Sequence, residues 1–178
     1  MTQVGDLVDG RGVYLGEWKV GTGDFMHAYV TEDFLRNHDG KKLILNFDEA
    51  NKELTTQNNE RESLTKTHYC DGELVLPPKE LLHGKDVYGK ATREANIYAL
   101  VEAGKLPKVA EALQQEEHSG EQDQFWALSS SQHPVDSSRV YHFKLAGTAI
   151  GNWSDKIEER AGVLPVRFFR NAPPTPGG

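Results

Sequence analysis

The chain of 178 residues holds one cysteine, Cys70. A single thiol excludes an intrachain disulfide and any zinc site built from several cysteines. Cys70 is expected to be a small apolar filler or a bystander. Long apolar runs are also missing: nowhere do about 18 such residues follow one another, so no membrane-spanning helix is expected. The first residues, Met-Thr-Gln-Val-Gly-Asp-Leu, have neither the charged nor the apolar region of a secretion signal, and the chain is expected to fold in the cytoplasm. A virion component assembled inside a host cell would look the same. Basic runs are scarce, the longest being Lys41-Lys42 beside the Gly40 turn, and the formal net charge is -7. Neutralising phosphates needs a concentrated basic surface, so direct nucleic-acid binding is not expected.

Several reaction motifs are missing too. Gly10-Arg11-Gly12 and Gly21-Thr22-Gly23 lack the spacing of a phosphate-binding loop and read as turns. Ser129, Ser130, Ser131, His133 and Asp136 hold the residue types of a hydrolase triad. They crowd one short stretch, and no Gly-x-Ser-x-Gly elbow presents a nucleophile. Calcium needs six to eight oxygen ligands, and the nearest approach is Asn152-Trp153-Ser154-Asp155. His133, Asp136 and His142, like His83 and Asp86, are better read as scattered surface groups than as metal ligands. No cofactor or metal is expected.

What the chain does have is turns and short strands. Seventeen glycines and eight prolines break it repeatedly, while 37% hydrophobic residues suffice for a core. Strands are predicted over residues 12–18, 25–30, 42–47 and 73–76, with a turn at 37–40. Asp48 is expected to cap a short helix running to about Thr55. Pro78 suits the first turn of a helical stretch through Leu82. Thr92 is expected to cap a helix that Gly104 closes, and Pro107 to open another carrying Val109, Ala112 and Leu113 on one side. Polar stretches 56–68, 83–90 and 114–124 read as loops. Strands return over 125–129, 138–145, about 149–153 and 162–169, and residues 171–178 read as a flexible tail.

Some of these segments resemble a known family. Glu73-Leu74-Val75-Leu76-Pro77-Pro78-Lys79-Glu80-Leu81 resembles the "W-x-L-P-T-x-x-E-L" signature of the Lcl C-terminal-like family. Phe125 to Ser131, Asp136 to Tyr141 and Ala161 to Phe168 resemble its closing pattern of "W-S-S-S", "S-S-R-A-W" and "R-P-V-R". Asp48-Glu49-Ala50 resembles its "W-x-E-A" helix. The likeness spans roughly residues 43–169, with Leu164 in place of an arginine and Pro78 in place of a threonine. It implies an α+β, C-type-lectin-like fold: twisted, mostly antiparallel sheets with two or three short helices and long loops. The family is similar to formylglycine-generating enzyme and to phage variable tropism proteins. The enzyme's chemistry uses a pair of cysteines, which this chain lacks. Residues 1–42 fit the pattern poorly and read as an amino-terminal β extension packed on the main domain, 43–170.

The resemblance implies a recognition face just before the last strand. Arg139, His142 and Lys144 would take wet or half-wet strand positions, followed by Asn152, Trp153, Asp155, Lys156, Glu158 and Arg160. Tyrosine, tryptophan and arginine give large contact area at modest entropic cost. Tyr141 shares a strand face with Phe143 and is expected to be buried. Trp18 and Trp126 are expected in the core, while Trp153 fits either role. The function expected is a non-enzymatic recognition protein of phage type, taking a protein or glycan ligand, and a symmetric homo-oligomer if it is a virion part. One alternative is an intracellular phage-encoded inhibitor of a host defence protein. The other is an enzyme of unknown reaction, which a deep pocket with converging titratable groups would support.

Overall fold

The computed structural model describes residues 1–20, 23–54, 69–83, 95–119, 126–145 and 150–174. It shows a mixed helix and sheet protein with two curled sheets. The first contains β1 (Leu7–Val8), β2 (Gly12–Lys19), β3 (Phe25–Val30) and β9 (Val166–Phe169), in the antiparallel order β1-β2-β3-β9. The second contains β4 (Ile44–Leu45), β5 (Trp126–Gln132), β6 (Arg139–Lys144), β7 (Ile150–Asp155) and β8 (Ala161–Gly162), in the order β4-β8-β5-β6-β7. Among the described residues only β5 and β8 pair in parallel there. The helices are α1 (Phe47–Glu53), α2 (Lys79–Leu82), α3 (Ile97–Glu102) and α4 (Pro107–Ser119).

The last predicted strand, 162–169, is two strands in two different sheets. Pro165 lies between them and cannot donate to a ladder, so pairing stops after β8 and resumes in β9. Through β9 the amino-terminal strands share a sheet with the end of the chain. Residues 171–174 are held against them: Arg11 donates to the Asn171 carbonyl at 3.0 Å, and the Thr2 hydroxyl to that of Pro174 at 3.0 Å.

In β2 strict alternation would bring Glu17 to the face that Val13 and Leu15 occupy. A bulge prevents this. Tyr14 pairs with Tyr29 but Gly16 with Ala28, and Gly16 has φ +92°, open to glycine without strain. Face parity therefore flips after Leu15, so Trp18 enters the core and donates its indole N–H to the Leu15 carbonyl at 3.0 Å. Glu17 is left outside, opposite His27.

Several local expectations change. Asn46, not Asp48, caps α1: its side chain accepts from the Glu49 N–H at 2.8 Å, and Glu49 accepts from the Asn46 N–H at 3.1 Å. Asp48 falls in the first turn instead. The strand expected over 42–47 shortens to Ile44–Leu45, and the one over 73–76 to a single bridge between Val75 and Val166. Asn96 caps α3, accepting from the Ala99 N–H at 2.8 Å. Residues 114–119 continue α4 rather than forming a loop. The expected loops 56–68 and 84–90, the Thr92 cap and residues 120–124 lie outside the described residues. Cys70 is exposed and fills no core position.

The main core joins the two sheets. Leu15, Ala28 and Val30 from the first sheet share one buried cluster with Tyr141 and Phe143 from the second and with Leu81, Leu82, Ile97 and Val109 from the helices. Each such apolar side chain contributes roughly 1.5–3 kcal/mol by leaving water. A smaller core lies behind the second sheet, where Phe47, Ala50 and Leu54 of the α1 segment meet Leu128, Val140, Ala161 and Val163.

Candidate functional site

Register across β5, β6 and β7 assigns every side chain of the predicted recognition region to a face. Tyr141 pairs with Trp153 and Phe143 with Gly151, and this row looks into the main core. His142 pairs with Leu128 and Asn152, and Val140 with Ser154, so this row looks the other way. Tyr141 is 1% exposed, as expected. Trp153 settles in between: it is half-buried, edge-on to Tyr141 at 5.2 Å and to His133 at 5.0 Å, with the Lys79 ammonium 5.4 Å from its ring centre.

One end of the sheet is formed by two turns, 133–138 and 155–158. His133 accepts through Nδ1 from the N–H groups of Val135 and Asp136, both at 3.1 Å. Asp136 accepts from the hydroxyl and the N–H of Ser138 and pairs with Arg139 at 3.3 Å. The Ser138 contacts, the hydroxyl first, hold the Asp136 carboxyl below the usual range. Asp155 does the same for its own turn, accepting from Ile157 at 2.8 Å and Glu158 at 3.0 Å, and the Glu158 and Ile157 N–H groups lower its carboxyl. The Lys156 N–H donates to the Ser138 carbonyl at 3.0 Å and ties the turns together. On this fixed frame two large aliphatic side chains face water, Val135 at 90% and Ile157 at 67% exposure.

A cleft of about 200 Å³ opens on the face away from the main core. Trp126, His142, Asn152, Ser154, Glu159 and Arg160 line it. Arg160 reaches Glu49 of α1 at 3.4 Å. His142 was expected on a wet position and is instead 3% exposed, because the α1 segment and residues 156–163 cover this face. Its Nε2 is buried without a hydrogen-bond partner among the described residues, and desolvation lowers its pKa to about 4, so the ring is neutral near pH 7.

The nine predicted residues thus divide. Arg139, Trp153, Asp155 and Glu158 belong to the sheet end, and His142, Asn152 and Arg160 to the cleft. Lys156 is held inward, donating to Gln132 at 2.7 Å with its ammonium 4.9 Å from the Phe47 ring centre. Lys144 lies at the other end of β6, half-buried, opposite Trp126 and Ile150. Sequence reasoning missed Val135, Ile157, Ser154 and Glu159, and it placed Trp126 in the core, whereas that side chain is half-buried and lines the cleft. For the aliphatic pair a signal existed, since each is a lone apolar residue in a polar run, Gln-His-Pro-Val-Asp-Ser-Ser and Asp-Lys-Ile-Glu-Glu-Arg.

The serine run has a structural role. Ser129, Ser130 and Ser131 are buried where β5 slips register against β6. Ser129 donates to the Tyr141 carbonyl at 2.7 Å. Ser131 accepts from the Lys79 N–H at 2.9 Å, a cap that Pro78 has no side chain to make. Among the described residues no three His, Cys, Asp or Glu side chains are grouped to hold a metal, and no helix is long and apolar enough to cross a membrane. A larger cleft, about 440 Å³, lies by the β1–β2 turn, where Arg11 and Arg167 face Asp9 and Glu32. Both arginines already have partners: Arg11 donates to the Tyr29 hydroxyl at 3.0 Å and Arg167 to the Gly72 carbonyl at 3.2 Å. No family model, curated protein or solved structure matches this chain.

Proposed function

We propose that this protein is a non-enzymatic recognition module of C-type-lectin-like architecture, which binds a protein or glycan through the β5–β6 and β7–β8 end of its second sheet. The observation that carries this reading is the pairing of exposed Val135 and Ile157 with turns already fixed by their own side chains. Fixing a loop before contact lowers the entropy lost on binding. Arg139 and the half-exposed Trp153 add the contact types that dominate interfaces.

Binding fits the site better than catalysis does. The cleft collects His142, Glu159 and Arg160, but Arg160 is paired with Glu49, and His142 hydrogen-bonds no nucleophile or carboxylate among the described residues. A general base needs such a geometry as well as a suitable pKa. The test is a screen of the protein on glycan arrays and displayed protein libraries, repeated with the Val135→Asp, Ile157→Asp double variant. Hits for the parent that weaken about tenfold or more in the variant are expected, a loss on the scale of one interface anchor. Hits unaffected by the double variant would place recognition elsewhere and sink the reading.

A further inference from the structure

The cleft of about 440 Å³ beside the β1–β2 turn has no part in the reading above, and it holds charges of both signs. Arg11 and Arg167 line it half-buried, while Asp9 and Glu32 line it exposed. Among the described residues none of the four forms an ion pair, with one another or with any other group. The exposed Arg36, Arg139 and Arg160, by contrast, each reach a carboxylate, at 2.8, 3.3 and 3.4 Å. The two arginines with less water around them are thus the ones without a counter-charge, against the cost of covering an unpaired ion. Each is fixed through one nitrogen. Arg11 donates from Nη1 to the Tyr29 hydroxyl and to the Asn171 and Ala172 carbonyls, and lies over the Phe169 ring at 4.4 Å. Arg167 donates from Nε to the Gly72 carbonyl, which leaves both its terminal nitrogens without a partner among the described residues. A guanidinium fixed in this way, with its terminal edge open, matches the two oxygens of a carboxylate. The wall beside it is preformed: the Arg11 N–H closes the turn on the Val8 carbonyl at 3.0 Å, and a Cβ on Gly12 would strike the Val30 carbonyl, so the hairpin lies hard against β3.

Four charges left apart select a ligand by elimination. A simple anion would meet the arginines but also Asp9 and Glu32, and a simple cation would meet the carboxylates but also the arginines. An uncharged molecule would cover the half-buried guanidiniums and leave them unpaired. A molecule that carries both signs answers each group with its opposite. We infer that this cleft binds a small zwitterion, a free amino acid or a short peptide, with its carboxylate on Arg167 and its ammonium on Asp9 or Glu32. Leu7 lines the same cleft at 60% exposure, so an apolar side chain on the ligand is favoured. The volume lies within the roughly 300–1,000 Å³ of small-molecule sites. This site belongs to the first sheet and stands or falls apart from recognition at the end of the second.

The experiment is an NMR titration of the full chain with leucine, phenylalanine and leucyl-leucine, alongside N-acetylleucine, leucinamide and inorganic phosphate. It is run at about pH 6.5, below the range in which an α-amine gives up its proton. N-Acetylleucine lacks the ammonium and leucinamide the carboxylate. At least one of the three zwitterions should shift the amide signals of Gly10, Gly12 and Thr31, which line the cleft. It should also bind about tenfold or more tighter than N-acetylleucine and leucinamide, the scale of one lost contact to a charged group. A lead for leucine or phenylalanine assigns the cleft to a free amino acid, and a lead for the dipeptide assigns it to a peptide. Asp9→Asn, Glu32→Gln changes two exposed side chains that hold no hydrogen bond among the described residues, so the fold is kept. With the arginines then unopposed, N-acetylleucine should bind the variant at least as tightly as leucine does. Silence from all three zwitterions overturns the inference. So does equal or tighter binding of N-acetylleucine, leucinamide or phosphate by the parent, or a preference for zwitterions that the double variant keeps.

Discussion

The two faces of the β5–β6–β7 sheet are both covered, yet they are built differently. The Tyr141 face is apolar and closed: Tyr141, Phe143 and Ala127 pack with α2 and α3, His83 lies 4.8 Å from Phe143, and Tyr98 meets Phe143 edge-on. Even its gap is filled, because a Cβ on Gly151 would overlap the Tyr141 phenol. The His142 face mixes the two kinds: Leu128 and Asn152 stand on either side of His142, and Val140 stands opposite Ser154. It ends in a cleft. Because successive residues take opposite faces, one strand can pack the main core on one side and line a cleft on the other. What β6 contributes to the core at Tyr141 and Phe143 holds still what it presents at His142.

The sharpest way to break this division is to remove the closed face. Tyr141→Ala deletes a side chain 1% exposed that contacts His83 and Trp153 and covers Gly151. A loss of about 3–5 kcal/mol in unfolding free energy is expected, the range for deleting a buried aromatic. Urea denaturation followed by far-UV circular dichroism measures it. A loss below about 1 kcal/mol, the size of an ordinary point substitution, would mean that this face is not what holds the sheet.

The open face makes the opposite prediction. With its pKa lowered to about 4 from an ordinary 6.5, His142 stays neutral in the folded chain while the unfolded chain takes up a proton. Below pH 6.5 the unfolded state binds more protons, so stability falls as pH falls, and the loss levels off near pH 4. Over that window the histidine accounts for on the order of 3 kcal/mol. His142→Leu removes this dependence and also removes the unpaired nitrogen. The variant should therefore match or exceed the parent near pH 7, by up to about 2 kcal/mol, and its lead should widen toward pH 4. Denaturation curves for both proteins at pH 7, 5.5 and 4 measure the difference. Parallel pH profiles would show that His142 is solvated, and the contrast between the faces would fade.

How much of this was legible in the sequence follows from the physics of each part. The alternation in 138–145 gave β6 and placed Tyr141 inside, since period 2 fixes faces locally. It could not show that the second face would also be covered, because that depends on α1 and residues 156–163, remote in sequence. His142 was therefore misplaced in water. The β2 bulge was hidden for a similar reason: the strand predicted over 12–18 runs straight through Gly16, whereas pairing with β3 uses that glycine to turn Trp18 inward. The cap of α1 was missed by two residues, because Asn46 sat inside an apparent strand and Asp48 offered a cap of equal propensity. The split at Pro165 was legible in principle, since proline cannot continue a ladder, but which sheet each half joins is a property of the whole fold. The cleft was legible only as separate residues: His142, Asn152 and Arg160 were among those predicted, but they meet one another and Trp126 only through three-strand register and the turn that follows.

The smallest expected effect bears on the sheet end itself. Val135 and Ile157 touch water in the folded and unfolded chain alike, so replacing both with aspartate should move unfolding free energy by no more than about 0.5 kcal/mol. Their side chains take no part in the hydrogen bonds of the turns, which run from backbone N–H groups to His133, Asp136 and Asp155 and survive the exchange. Calorimetry on the double variant checks this. A thermal midpoint unchanged within error leaves the pair with no structural role. A clear drop would show that the two aliphatics pack in the folded chain, and the sheet end would then be as much a part of the scaffold as the Tyr141 face.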